Sequence, residues 1–91
     1  MPRLLRHKAF IKDFRSARLT DGQFEKLVSY LGLLKEDKPL PPEAKDHVLK
    51  GQWKEFRELH LGGDMLLIYW VGQSATEITL TRLGTHSELF G

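Results

Sequence analysis

Cysteine is absent from the 91-residue chain. That rules out disulfides and thiolate metal sites, and it removes the usual sign of an oxidising compartment. No apolar run approaches the roughly 20 residues that a membrane-spanning helix needs. The N-terminal segment MPRLLRHKAF also lacks a signal-peptide apolar core. The expectation is a cytoplasmic protein with no membrane partner. A large excess of one charge sign is missing as well, since 14 Lys and Arg against 12 Asp and Glu leave a net charge of +2. The chain therefore lacks the dense arginine clusters of a dedicated RNA binder, and any basic surface has to be local. Internal repeats and low-complexity tracts are missing too.

What remains is an ordinary globular composition, 41% hydrophobic and 29% charged, on a chain long enough for one core and too short for two. A single domain over residues 1–91 is expected. Residues 3–7 suit a short edge strand. From Lys8 to about Arg18, Phe10, Phe14 and Ala17 recur at i, i+4 and i+7 with Ile11 beside them, which predicts a short amphipathic helix. Thr20 followed by Gln23 reads as a capping box. It opens a second helix, from Asp21 to about Glu36, with Phe24, Leu27, Val28, Leu31 and Leu34 as its buried stripe. Gly32 inside that helix is read as a point of close packing against a sheet. Pro39-Leu40-Pro41-Pro42 ends the helix and serves as a stiff connector.

Three strands are predicted after it. Residues 52–59 do not alternate cleanly. Residues 65–71 (MLLIYWV) are continuously apolar, as in a central strand covered on both faces. Residues 76–83 alternate, with Ile78 and Leu80 on one side. Gly62-Gly63-Asp64 and Gly72-Gln73-Ser74 mark the turns, and such short connections make antiparallel neighbours. The predicted fold class is α+β, two N-terminal helices packed on one face of a small, mainly antiparallel sheet. Its opposite face is expected to be shallow and accessible.

Chemistry concentrates in Asp46 to Asp64 and at the C-terminus. His47, His60 and Asp64 share the first stretch with Lys50, Lys54, Arg57, Trp53 and Phe56, and His86 stands in Arg82-Leu83-Gly84-Thr85-His86-Ser87-Glu88-Leu89-Phe90. Lys45 to Arg57 carries four cations against two carboxylates. Metal-free RNA cleavage uses the substrate's own 2′-hydroxyl as nucleophile. It needs a base for that proton, an acid for the leaving 5′-oxygen, and cations for the charge on phosphorus. Imidazoles suit either proton role at neutral pH. Arg82, Arg57, Lys50 and Lys54 can meet phosphate, and Phe90 or Trp53 can stack on a base. Each residue also has a structural reading. His7 is taken as purely structural, Asp64 can bond turn amides, the lysines can be a solvated edge, and Arg82 can pair with a carboxylate on the helix side. His47, His60, Asp64 and His86 could alternatively hold a metal. No pair of them has the helical i, i+4 spacing, and their neighbours are basic, so no metal and no cofactor is expected.

Read in order, Leu40-Pro41, Asp46-His47-x-Leu49-x-Gly51-x-Trp53-Lys54-x-Phe56-Arg57-Glu58-x-His60, Asp64-x-Leu66-Leu67-Ile68-Tyr69 and the terminal Gly84-Thr85-His86-Ser87-Glu88-Leu89-Phe90 closely resemble the YafQ branch of the RelE superfamily. These are the mRNA interferase toxins of type II toxin–antitoxin systems. The match runs motif by motif over about the last fifty residues. The resemblance implies an endoribonuclease that cuts mRNA in the decoding site of the 70S ribosome without a metal and leaves a 2′,3′-cyclic phosphate. It implies catalytic roles for His47 (general base), Asp64 (general acid), His60 and His86, supported by Arg82 and Phe90. It also implies a cognate antitoxin as protein partner, with DNA contact left mainly to that antitoxin. Some members carry a tryptophan directly after the aspartate, and Met65 stands there in this chain. The alternative is a catalytically degenerate module that only binds an antitoxin or RNA.

Overall fold

The central element is the apolar run Met65–Val71. In the computed structural model, which describes all residues from Met1 to Gly91, this run is β4. The other strands are β1 (Arg3–Arg6), β2 (His47–Val48), β3 (Phe56–Gly62) and β5 (Glu77–Thr85), and the helices are α1 (Lys8–Ser16), α2 (Asp21–Lys35) and α3 (His86–Phe90). The five strands form one sheet in the order β1-β5-β4-β3-β2. β1 runs parallel to β5 and every other pair is antiparallel. The fold is α+β, as the sequence predicts.

Leu59, Leu61, Met65, Leu67, Tyr69, Ile78, Leu80 and Leu83 meet Phe10, Leu27 and Tyr30 of the helices in one core. α1 begins at His7, whose ring accepts the Ala9 N–H at 3.0 Å. The predicted Thr20–Gln23 capping box is present in both directions, at 3.1 and 3.0 Å. Gln23 also donates its side-chain amide to the Gly62 carbonyl at 2.9 Å, tying the start of α2 to the β3–β4 turn.

Several features differ from the sequence reading. β3 begins at Phe56, because Gly51–Trp53 closes a 3-10 turn where a strand had been predicted. The inner stripe of α2 is Leu27, Tyr30, Leu31 and Leu34, and Phe24 and Val28 are half exposed. A Cβ at Gly32 would meet nothing within 4 Å, so close packing does not explain that glycine. The second face of the sheet is also partly roofed. α3 folds back over the end of β5, where a Cβ on Gly84 would meet Leu89 at 3.2 Å, and the neighbouring Leu66 and Ile68 are fully buried.

Candidate active site

Strand alternation sends Leu59 and Leu61 into the helix-side core and sends Glu58 and His60 to the other face. β2 lies against that strand in antiparallel register, with His47 opposite Glu58. Glu58 is 3% exposed, and its Oε2 lies 3.3 Å from Nε2 of His47 and 3.3 Å from Nε2 of His60. The two imidazole centroids are 6.2 Å apart. Nδ1 of His47 lies 2.6 Å from the Lys45 carbonyl. That contact requires Nδ1 to carry a proton and donate it, which leaves Nε2 facing Glu58.

The residue before His47 is held equally firmly. Asp46 accepts from Tyr69 Oη at 2.6 Å and from two guanidinium nitrogens of Arg57 at 3.2 and 3.0 Å. Burial pushes the Tyr69 hydroxyl well above its ordinary range and the Asp46 carboxylate adds to the shift, so Tyr69 stays a donor. Arg57, expected to meet substrate phosphate, is paired within the chain with Asp46.

His86 opens α3. Thr85 caps this helix by accepting the Glu88 N–H at 3.3 Å, and Glu88 reaches back to the Thr85 N–H at 2.7 Å. One helical turn on, Phe90 lies tilted against His86, with ring centroids 5.2 Å apart. Phe90 also meets Trp53 edge-on at 5.8 Å, and Trp53 meets Phe56 at 5.3 Å. His47, Lys50, Glu58, His86 and Phe90 then line one open pocket of about 320 Å³. Its walls come from β2, the loop after it, β3 and α3.

The other expected residues lie around this pocket. His60 reaches it through the shared Glu58 carboxylate. Asp64 is exposed in the β3–β4 turn, outside the pocket lining. Register pairs its neighbour Met65 with Thr85, so Asp64 and His86 stand one step past the last pair of β4 and β5. Lys54 is exposed just after the 3-10 turn. Arg82 is paired with Asp13 of α1 at 2.7 Å, the carboxylate partner that the sequence reading allowed. The strand parity behind that reading does not hold, because a register shift lets Leu80 face Tyr69 and Arg82 face Ile68, with Thr81 as the extra residue. Glu58 was missed as a site residue. Its signal was Glu58-x-His60, two polar side chains at strand spacing beside apolar Leu59 and Leu61.

His47, Glu58 and His60 bring three possible ligand atoms within 4.8 Å of one another. Two imidazoles and a carboxylate suit a transition-metal ion. The carboxylate in this cluster is Glu58, and Asp64, the one considered from sequence, is not part of it.

Residues 3–91 match the family model for the bacterial toxin of type II toxin–antitoxin systems, YafQ. The mRNA interferase toxin YafQ of Escherichia coli K12 is 36% identical over 83 residues, covering 90% of this chain and 88% of that protein. The E. coli DinJ–YafQ complex contains a chain that superimposes with a TM-score of 0.84 at 34% identity, covering 100% of both chains. A copper-bound mutant toxin from Helicobacter pylori superimposes at 0.82 and 40% identity over 99% of this chain and 100% of that one.

Proposed function

The chain belongs to the YafQ family of bacterial toxins of type II toxin–antitoxin systems, and from that premise and the pocket geometry we propose that it is an mRNA-cleaving endoribonuclease held in check by a cognate antitoxin in the cytoplasm. The observation that carries this reading is the single pocket that gathers His47, Lys50, Glu58, His86 and Phe90 from four separate segments. It holds groups for proton transfer, a free ammonium for phosphate and an aromatic face for a base. Cleavage then needs no metal.

The ribose 2′-hydroxyl attacks the adjacent phosphorus, and His47 Nε2 takes its proton. The Lys45 carbonyl fixes the ring's tautomer and orientation. Lys50 offsets the charge that builds on the phosphoryl oxygens. The leaving 5′-oxygen receives a proton from Asp64 or His86, which stand at the same end of the sheet. His60 and Glu58 keep His47 in place, and Phe90 stacks on a base next to the cut. The products are a 2′,3′-cyclic phosphate and a 5′-hydroxyl. The substrate is mRNA in the decoding site of the 70S ribosome, and in-line attack requires its 2′-oxygen, phosphorus and 5′-oxygen to be held in line.

The antitoxin reading is supported by an open apolar groove between α1 and α2. Phe14, Phe24 and Val28 are 44–55% exposed there, and Arg6 and Arg15, which form no ion pair within the chain, flank it. This surface suits an amphipathic antitoxin segment with acidic residues beside its apolar stripe. A metal ion held by His47, Glu58 and His60 would supply a positive charge, and it would occupy the lone pairs that proton transfer needs.

The test is primer extension on mRNA from cells expressing the protein. In-frame cuts that disappear when translation initiation is blocked, and that His86→Ala abolishes, are expected. Folded protein that yields no cuts and no growth arrest would instead favour the module that only binds.

A further inference from the structure

A second cleft, sharing no lining residue with the pocket at His47, opens beside Trp53. Trp53, Phe56, His7, Thr81 and Arg82 line a space of about 420 Å³. An adjoining space of about 250 Å³ shares His7, Phe56 and Thr81 with it and extends to Trp70 and Thr79. The run Phe90–Trp53–Phe56, with centroid separations of 5.8 and 5.3 Å, leads from the catalytic pocket into this cleft without a break. Resting on the proposed RNA-cleaving activity, we propose that this cleft binds a nucleobase of the RNA flanking the scissile phosphate, and that His7 helps select which base enters.

The lining decides between base and phosphate. Flat aromatic faces edged by hydroxyls and an imidazole match a base, which stacks on its π-face and is read along its edge. A phosphate would need a free cation. The cation lining the cleft is Arg82, which already gives two guanidinium nitrogens to Asp13, at 2.7 and 3.3 Å. His7 is set up to donate. Its Nδ1 accepts the Ala9 N–H as the cap of α1, so the neutral ring carries its proton on Nε2, which has no partner in the chain. Thr81 donates its hydroxyl to the Thr79 carbonyl at 3.1 Å and keeps its lone pairs free to accept. Donor and acceptor thus line the same cleft. His7 and Trp70 lie outside the proton-transfer set, so changing them should alter which sites are cut and how tightly RNA binds, with the chemical step left intact.

Two experiments test this. His7→Ser keeps a good helix cap and removes the ring donor. Its thermal midpoint should match the wild type, while preference for the base beside the cut should fall by about 10-fold, within the range of one lost base contact. An unchanged cleavage-site profile overturns the assignment. Independently of cleavage, ¹⁵N-labelled wild-type protein is titrated with RNA trinucleotides carrying a central 2′-deoxyribose. The Trp53 and Trp70 indole N–H signals and the Thr79 and Thr81 amides should shift, with different midpoints for different bases. If these signals stay still, whether or not His47, Lys50 and His86 respond, the subsite is ruled out. If they shift in a protein that cuts no RNA, the subsite stands and the catalytic reading falls.

Discussion

Glu58 Oε2 has an imidazole Nε2 on either side, each 3.3 Å away. Nδ1 of His47 is committed as a donor to the Lys45 carbonyl, so its contact with Glu58 runs through Nε2. In the proposed mechanism Glu58 acts by positioning His47. Replacing His47 with Gln removes the proposed base and should lower the cleavage rate by about 10²–10⁴-fold with little change in thermal midpoint. Single-turnover cleavage on programmed ribosomes, alongside calorimetry, measures both. Glu58→Gln keeps the volume and removes the charge. It should alter the pH–rate profile of cleavage, which a purely structural role would leave unchanged. Cu²⁺ or Zn²⁺ ions should inhibit by occupying the same nitrogens, and EDTA should restore the rate. A metal-activated enzyme would show the reverse.

Asp13 illustrates a residue whose charge serves the fold. Burial alone would raise its carboxyl, but hydrogen bonds from Arg82 and the Leu83 N–H, together with the Arg82 charge, hold it below the ordinary 3.8. A depressed carboxylate adds stability that is fully present above pH 4 or so and is lost as pH falls through its lowered folded value. Asp13→Asn should cost about 1–3 kcal/mol at pH 7. It should also flatten the acid side of a plot of stability against pH, as followed by urea unfolding at several pH values.

At the level of elements, α2 offers the simplest stability test. Gly32 is exposed and a Cβ there meets nothing. Gly32→Ala should therefore add up to about 1 kcal/mol, seen as a rise of several degrees in thermal midpoint. The elements also show what could be read from sequence. β4 was legible because a strand covered on both faces needs no alternation, and the Thr20–Gln23 cap was legible because capping is local chemistry. The start of β3 was not, because Gly51 at φ 69° turns the chain before Trp53, and only the pairing of β2 with β3 fixes where the strand begins. α3 was overlooked although Thr85-x-x-Glu88 is a capping box of the same kind. Five residues carry too little periodicity to announce a helix. The extra residue at Thr81 could not be read at all, since a bulge is defined by the neighbouring strand.

Across the whole molecule, two surfaces stand apart in composition. The face with β2, β3 and α3 carries His47, His60 and His86, and the groove between α1 and α2, the proposed antitoxin surface, carries exposed apolar residues flanked by arginines. Phe24→Ser with Val28→Ser should weaken antitoxin binding by 10-fold or more while leaving cleavage by the free protein intact, since both side chains are already half exposed. Titration calorimetry with the cognate antitoxin reads this directly. How the four walls of the pocket come together was only partly legible. His47, His60 and His86 could be picked out by residue type, but Glu58 became visible only once register placed it opposite His47.

In the proposed reaction the substrate supplies its own nucleophile in a pocket of imidazoles. The most direct test is a programmed ribosome carrying mRNA with a single 2′-deoxyribose at the scissile position. Loss of cleavage at that position, with the all-ribose message giving a 2′,3′-cyclic phosphate and a 5′-hydroxyl, is the expected result. Cleavage that persists at the deoxy position, or fragments ending in 3′-hydroxyl and 5′-phosphate, would contradict it.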